Sequence, residues 1–179
     1  WLATQTLHQA GATNVAIFTG KSRAGSPTNG RREGYEAYLT AQQLTPHVHE
    51  LPFELTPALK MMEIKTIMTQ HQYDGIFCHA LIHLLDSDER AKLIRDCYHQ
   101  LAPGGYMVFS VISKKAHTYG QGVFVTEDRY EIFDGVKMYF YDQSSVHSAF
   151  DKAGLYEITE VQDVFPFFLI KCRKTKDAP

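Results

Sequence analysis

The 179 residues are 44% hydrophobic and 21% charged, a composition that fits one globular domain burying roughly 70% of its unfolded surface. A formal net charge of -2 gives no footing for nucleic acid or an acidic membrane surface as partner. No apolar run approaches the ~20 residues that cross a bilayer and no charged-then-apolar leader opens the chain, so a cytoplasmic protein is expected.

Helical and strand signals then alternate along the chain, the pattern of an α/β domain with a largely parallel sheet. A helix over residues 1–10 stops at Gly11, and Asn14, Val15, Ala16, Ile17 and Phe18 form a short apolar first strand. Residues 19–30, with Gly20, Gly25, Pro27 and Gly30, read as a loop. A helix follows over 31–44, ended by Pro46. The second strand is predicted over 47–53. Thr56 and Pro57 open a helix with Met61, Ile64, Ile67 and Met68 on one face.

The third strand is predicted over 73–78, from Tyr73 to the buried-type run Ile76, Phe77 and Cys78. Asp86 and Glu89 have capping-box spacing ahead of a helix that turns Leu93, Ile94, Cys97 and Leu101 inward. Pro103, Gly104 and Gly105 end it, and the fourth strand covers 106–112. In the long connection to about residue 141, Asp134-Gly135 sits between two β-rich runs at 130–133 and 136–139, a hairpin signal. A helix over 144–153 ends at Gly154, and strands over 156–161 and 167–172 lie too close together for a helical crossover, so they are antiparallel. The predicted sheet order is 2-1-3-4-6-5 with strand 6 reversed, in a three-layer doubly wound domain spanning 1–179. Its topological switch lies between strands 1 and 3.

Two family resemblances overlap at the third strand. Ala3-Thr4-Gln5-Thr6-Leu7, Gly11 to Ala16 and Arg31-Arg32-Glu33-Gly34-Tyr35 make residues 1–77 similar to the effector-binding core of LacI/GalR-type repressors, with their periplasmic-binding-protein-like fold. That resemblance implies a sugar-contacting role for Arg31. Tyr73-Asp74-Gly75-Ile76-Phe77-Cys78-His79 and Leu101-Ala102-Pro103-Gly104-Gly105 make residues 73–174 similar to the second half of a class I S-adenosylmethionine-dependent methyltransferase, with a Rossmann/flavodoxin-like sheet. By that resemblance Thr19, Gly20, Cys78 and His79 border a cofactor crevice, and Glu54 stands where that family holds the ribose hydroxyls. The acidic glycine-rich loop of the family is replaced by Thr19-Gly20-Lys21-Ser22-Arg23-Ala24-Gly25.

Together the resemblances read as a recombined or engineered chimera, 1–77 joined to 78–174 with a tail at 175–179. The expectation is a scaffold with no catalytic activity and no cofactor. The alternatives are a methyltransferase with an atypical cofactor loop and a weak sugar-binding module at Arg31.

Other clusters carry bland readings. His79 and His83, four apart, and His47 and His49, on one side of a strand, lack a third metal ligand and read as packing or edge polarity. Cys78, Cys97 and Cys172 are odd in number and widely spaced, which predicts reduced thiols. Ser110 and Ser113 have no acid-base partner in sequence. Phe124, Tyr130, Phe133, Tyr139, Phe140 and Tyr141 read as an exposed aromatic cluster of the hairpin. The helix start near residues 20–31 would take only an adventitious anion, and weak self-association is expected of apolar surface left bare.

Overall fold

The computed structural model describes residues 2–20, 27–51, 56–70, 73–133, 135–162 and 165–176. In chain order these form α1 (Leu2–Gln9), β1 (Val15–Gly20), α2 (Pro27–Ala41), β2 (His47–Leu51), α3 (Pro57–Gln70), β3 (Gly75–His79), a 3-10 turn (Ile82–Leu84), α4 (Ser87–Gln100) and β4 (Tyr106–Ile112). There follow β5 (Val123–Thr126), β6 (Arg129–Phe133), β7 (Val136–Tyr139), α5 (Gln143–Phe150), a second 3-10 turn (Asp151–Ala153), β8 (Leu155–Val161) and β9 (Phe167–Arg173). Six strands pair in the order β2-β1-β3-β4-β9-β8. β9 runs antiparallel to both of its neighbours, as the short connection from β8 requires.

Side-chain alternation along the central strands divides the core into two layers. Ile76 and Cys78 of β3, with Met107, Phe109 and Val111 of β4, join Ile64 of α3, Leu93, Ile94 and Cys97 of α4, and Val146 and Phe150 of α5. On the other face Val108 of β4 and the partly buried Phe77 of β3 meet Leu7 of α1 and Tyr35, Tyr38 and Leu39 of α2. Tyr35 fixes α2 to the sheet. Its hydroxyl donates to the Val15 carbonyl at 2.6 Å and accepts from the His47 amide at 2.8 Å, joining β1 and β2.

Caps set several element ends. Asp86 accepts from the Glu89 amide while Glu89 accepts from the Asp86 amide, completing the expected capping box of α4. Asp142 and Ser145 repeat that arrangement at α5. Gly154 holds φ 72, and a Cβ there would stand 2.1 Å from the Arg173 carbonyl oxygen, so the turn into β8 requires glycine.

The structure departs from the sequence reading in three places. α2 begins at Pro27 rather than at 31, because proline's fixed φ suits the first helical turn and its missing N–H costs nothing there. The hairpin at β6 and β7 gains a third strand, β5, in the order β5-β6-β7. The aromatic cluster is also less exposed than expected. Phe140 and Tyr141 are buried, and Phe140 packs with Ile112 and Ala116 beneath Tyr119 and Tyr130, whereas Phe124 is 65% exposed. Lys114 ties this ribbon to the sheet through Asp128 and Asp142, each at 2.6 Å. The Lys114 hydrogen bond, with help from the Ser145 amide, holds the Asp142 carboxyl down at about 2.

Two substitutions separate packing from polar ties. Phe109 and Phe150 are fully buried with ring centroids 5.0 Å apart, so Phe150→Ala is expected to cost about 3–5 kcal/mol in urea denaturation. The Asp74 carboxylate accepts from the Thr13 and Asn14 amides at 2.9 and 2.7 Å, and Asp74→Ala is expected to cost about 1–3 kcal/mol. A loss below about 0.5 kcal/mol for Asp74→Ala, the size of an ordinary surface change, would contradict that role.

Candidate functional site

β1, β3 and β4 run parallel, so their carboxyl ends open on one edge, at the point where the chain turns from β1 outward to β2 and back to β3. The register sets His79, the last residue of β3, beside Ser110 of β4. Ala80 then leaves the strand at φ 50, a left-handed backbone uncommon for alanine. Its amide donates to the Ser110 hydroxyl oxygen at 3.2 Å, and the same oxygen lies in close hydrogen-bond contact with His79 Nδ1.

Ser110 is 3% exposed and shares a close hydrogen bond with His79 Nδ1, whose direction depends on the tautomer of the ring. With Ser110 as the donor, the ring hydrogen lies on Nε2. His79 Nε2 is buried and has no partner among the described residues, and the same holds for His83 Nδ1 in the following turn. Burial, then the charge of Arg31, then His83 hold the His79 imidazole down at about 3. Burial and Arg31 hold His83 at about 4. Both rings are therefore neutral at physiological pH. Arg31, in the first turns of α2, brings its guanidinium within electrostatic reach of both, and burial lowers its own pKa.

The expected site residues separate on this frame. Thr19 and Gly20 end β1, in register with Glu50 and Leu51 of β2. His79 ends β3, within electrostatic reach of Arg31. Strand alternation turns the Cys78 side chain toward Leu93 and Cys97 in the core, where burial pushes the thiol up to about 12. Cys78, His79, Phe18 and Leu81 line one void of about 20 Å³, room for a single water at most. Glu54 and residues 21–26 lie outside the described residues. His49 binds the Tyr73 hydroxyl at 2.8 Å and stacks on Phe18. Among the described residues no group of three or more His, Cys, Asp or Glu is placed to hold a metal ion, and no helix is long and apolar enough to cross a membrane. Sequence reasoning missed Ser110, for which it saw no acid-base partner; the partner is His79, across the strand pair.

No family model matches the chain. Part of it is 99% identical over 94 residues to the sucrose operon repressor of Pediococcus pentosaceus, covering 52% of this chain and 26% of that protein. The sucrose operon repressor of Lactococcus lactis subsp. lactis is 42% identical over 77 residues, covering 43% and 24%. The chain thus spans about a quarter of the length of the curated relatives it matches. A continuous match of 94 residues crosses the middle of a 179-residue chain wherever it starts, so this likeness is not confined to residues 1–77.

The fold is that of S-adenosylmethionine-dependent methyltransferases. The 1,6-didemethyltoxoflavin-N1-methyltransferase of Burkholderia thailandensis, solved with S-adenosylhomocysteine, superposes with TM-score 0.59 at 16% identity, over 97% of this chain and 77% of that one. A methyltransferase from Methanosarcina mazei gives 0.59 at 10% identity, over 95% and 97%. CcbJ from Streptomyces caelestis gives 0.59 at 12%, over 97% and 88%. These likenesses correct the reading of the chain as a non-catalytic scaffold. One methyltransferase-type fold runs through almost the whole chain, first half included, and β3 joins both halves in a single sheet.

The buried imidazoles make stability depend on pH. Their folded pKa values lie below the ordinary 6.5, so the unfolded chain binds more protons, and stability complete above 6.5 is lost as pH falls toward about 4. Thermal melts across that window are expected to show a falling Tm, and His79→Asn with His83→Asn to flatten the profile. An unchanged slope in the double variant would rule out these histidines as its source.

Proposed function

We propose that the chain is a methyltransferase-type domain that binds S-adenosylmethionine in the crevice at the carboxyl ends of β1, β3 and β4. The observation that carries this reading is the buried Nε2 of His79 at the end of β3, without a partner among the described residues and within the field of Arg31. A buried polar atom without a partner costs roughly 1–3 kcal/mol, which a hydrogen bond to a ligand would recover. When bound, the cofactor supplies a methyl group on a positively charged sulfur.

The residues present fit such a group in charge. Arg31 would pair with the carboxylate of the amino acid portion, a role the replaced glycine-rich loop leaves open. His79, held by Ser110, would donate from Nε2 to an acceptor atom of the ligand. Because burial keeps His79 and His83 neutral, no imidazolium opposes the sulfonium. Glu54, three residues beyond β2 in sequence, is the carboxylate proposed for the ribose hydroxyls. Gly20 at the end of β1 keeps side-chain bulk out of the approach.

The near-identity to a sucrose operon repressor favours a second reading, a carbohydrate ligand at Arg31. Calorimetric titration of the intact chain with S-adenosylhomocysteine and, separately, with sucrose distinguishes the two. Saturable binding of the first, weakened about tenfold or more by Arg31→Ala and by His79→Leu, is expected. No heat with S-adenosylhomocysteine at millimolar concentration would dismiss the methyltransferase reading, and sucrose binding that depends on Arg31 would install the other.

A further inference from the structure

Away from the crevice, α4 and α5 enclose a groove of about 730 Å³, the size of a site for an organic ligand. Ser87, Arg90, Ala91, Ile94, Arg95 and Tyr98 follow one another along α4 at alternating intervals of three and one residues and line one wall. Ser145, Ser148, Ala149 and Lys152 do the same from α5 and the turn after it. Alanine and serine facing each other leave the space that larger side chains would fill.

The lining is cationic, and no carboxylate belongs to it. Arg90 is held in place, its guanidinium 3.9 Å above the Tyr139 ring and donating to the Leu85 carbonyl at 3.0 Å. Arg95 and Lys152 have no carboxylate partner among the described residues. The acids beside them in sequence are engaged elsewhere, Asp96 of α4 with Lys92 and Asp151 of the turn after α5 with His147. A second, independent feature marks the groove. Tyr141, which lines it, is 1% exposed, and its buried hydroxyl has no partner among the described residues. A buried hydroxyl of that kind points to an acceptor supplied from outside the chain.

We propose that the groove between α4 and α5 binds a planar organic phosphate, its dianionic head taken by Arg95 and Lys152 and its ring by the tyrosine-lined wall. Two cations without carboxylates suit a dianion, and Tyr98 and Tyr139 offer ring surface beside them. The site is separate from the crevice and does not depend on the function proposed for it.

Phenyl phosphate is the probe, titrated into the full chain by calorimetry beside inorganic phosphate and phenol. Saturable binding of phenyl phosphate is expected, with both fragments at least about tenfold weaker. R95Q/K152Q, both at exposed positions, is expected to lower that affinity about tenfold or more with an unchanged melting temperature. Tyr141→Phe is expected to weaken it a few-fold without loss of stability, since it removes a hydroxyl that has no partner to lose. Absence of saturable binding, equal affinity for inorganic phosphate alone, or no effect of the double variant would overturn the site. Displacement of phenyl phosphate by saturating S-adenosylhomocysteine would overturn it as well, by placing the probe in the crevice.

Discussion

Strand β3 has almost no freedom of position, and the rest of the molecule is arranged around that fact. A Cβ on Gly75 would stand 2.8 Å from Val15 Cγ2 and 3.0 Å from the Ala12 Cβ, so the strand enters the sheet in direct contact with β1. Its neighbour Asp74 works in both directions. The carboxylate accepts from Thr13 and Asn14 at the entry to β1, and the carbonyl accepts from the Tyr106 amide at the start of β4, 2.8 Å away. With the amino end pinned between two strands, register fixes the carboxyl end, and that end carries His79.

The consequence is a polar mouth on an apolar strand. Ile76 is buried in the helical layer and Phe77 packs toward the other, yet one residue past Cys78 the side chains are His79, Ser110 and, a turn later, His83. Burying these groups is unfavourable unless each finds a partner. Ser110 and the Ala80 amide find theirs, whereas one nitrogen on each histidine does not. Keeping the rings neutral lowers the cost but leaves the hydrogen-bonding deficit in place. That deficit, at the topological switch of the sheet, is what the proposed ligand would relieve.

Much of the fold was legible in the sequence because its signals are local. Asp86 and Glu89 announce α4, Gly154 announces the turn into β8, and the short link after β8 forces β9 to reverse. Signals that depend on distant partners were not legible. Pro27 to Gly30 has the composition of a loop, yet proline at the first helical position opens α2 there. Phe140 and Tyr141 look like surface aromatics until the ribbon folds over Ile112 and Ala116. The site divides in the same way. His79 and Arg31 were named from resemblance, but Ser110 becomes a partner of His79 only through the pairing of two strands. Cys78 points into the core by the alternation of the strand and shares one small void with His79.

The central claim is that His79 presents a ligand-directed N–H at the end of β3. Nitrogen-detected NMR of the imidazole side chains reads it directly. In the free protein the claim predicts a neutral His79 ring protonated at Nε2, and addition of S-adenosylhomocysteine should move that resonance while leaving His47 and His49 in place. A ring protonated at Nδ1, or a His79 signal indifferent to the ligand while others respond, would contradict it.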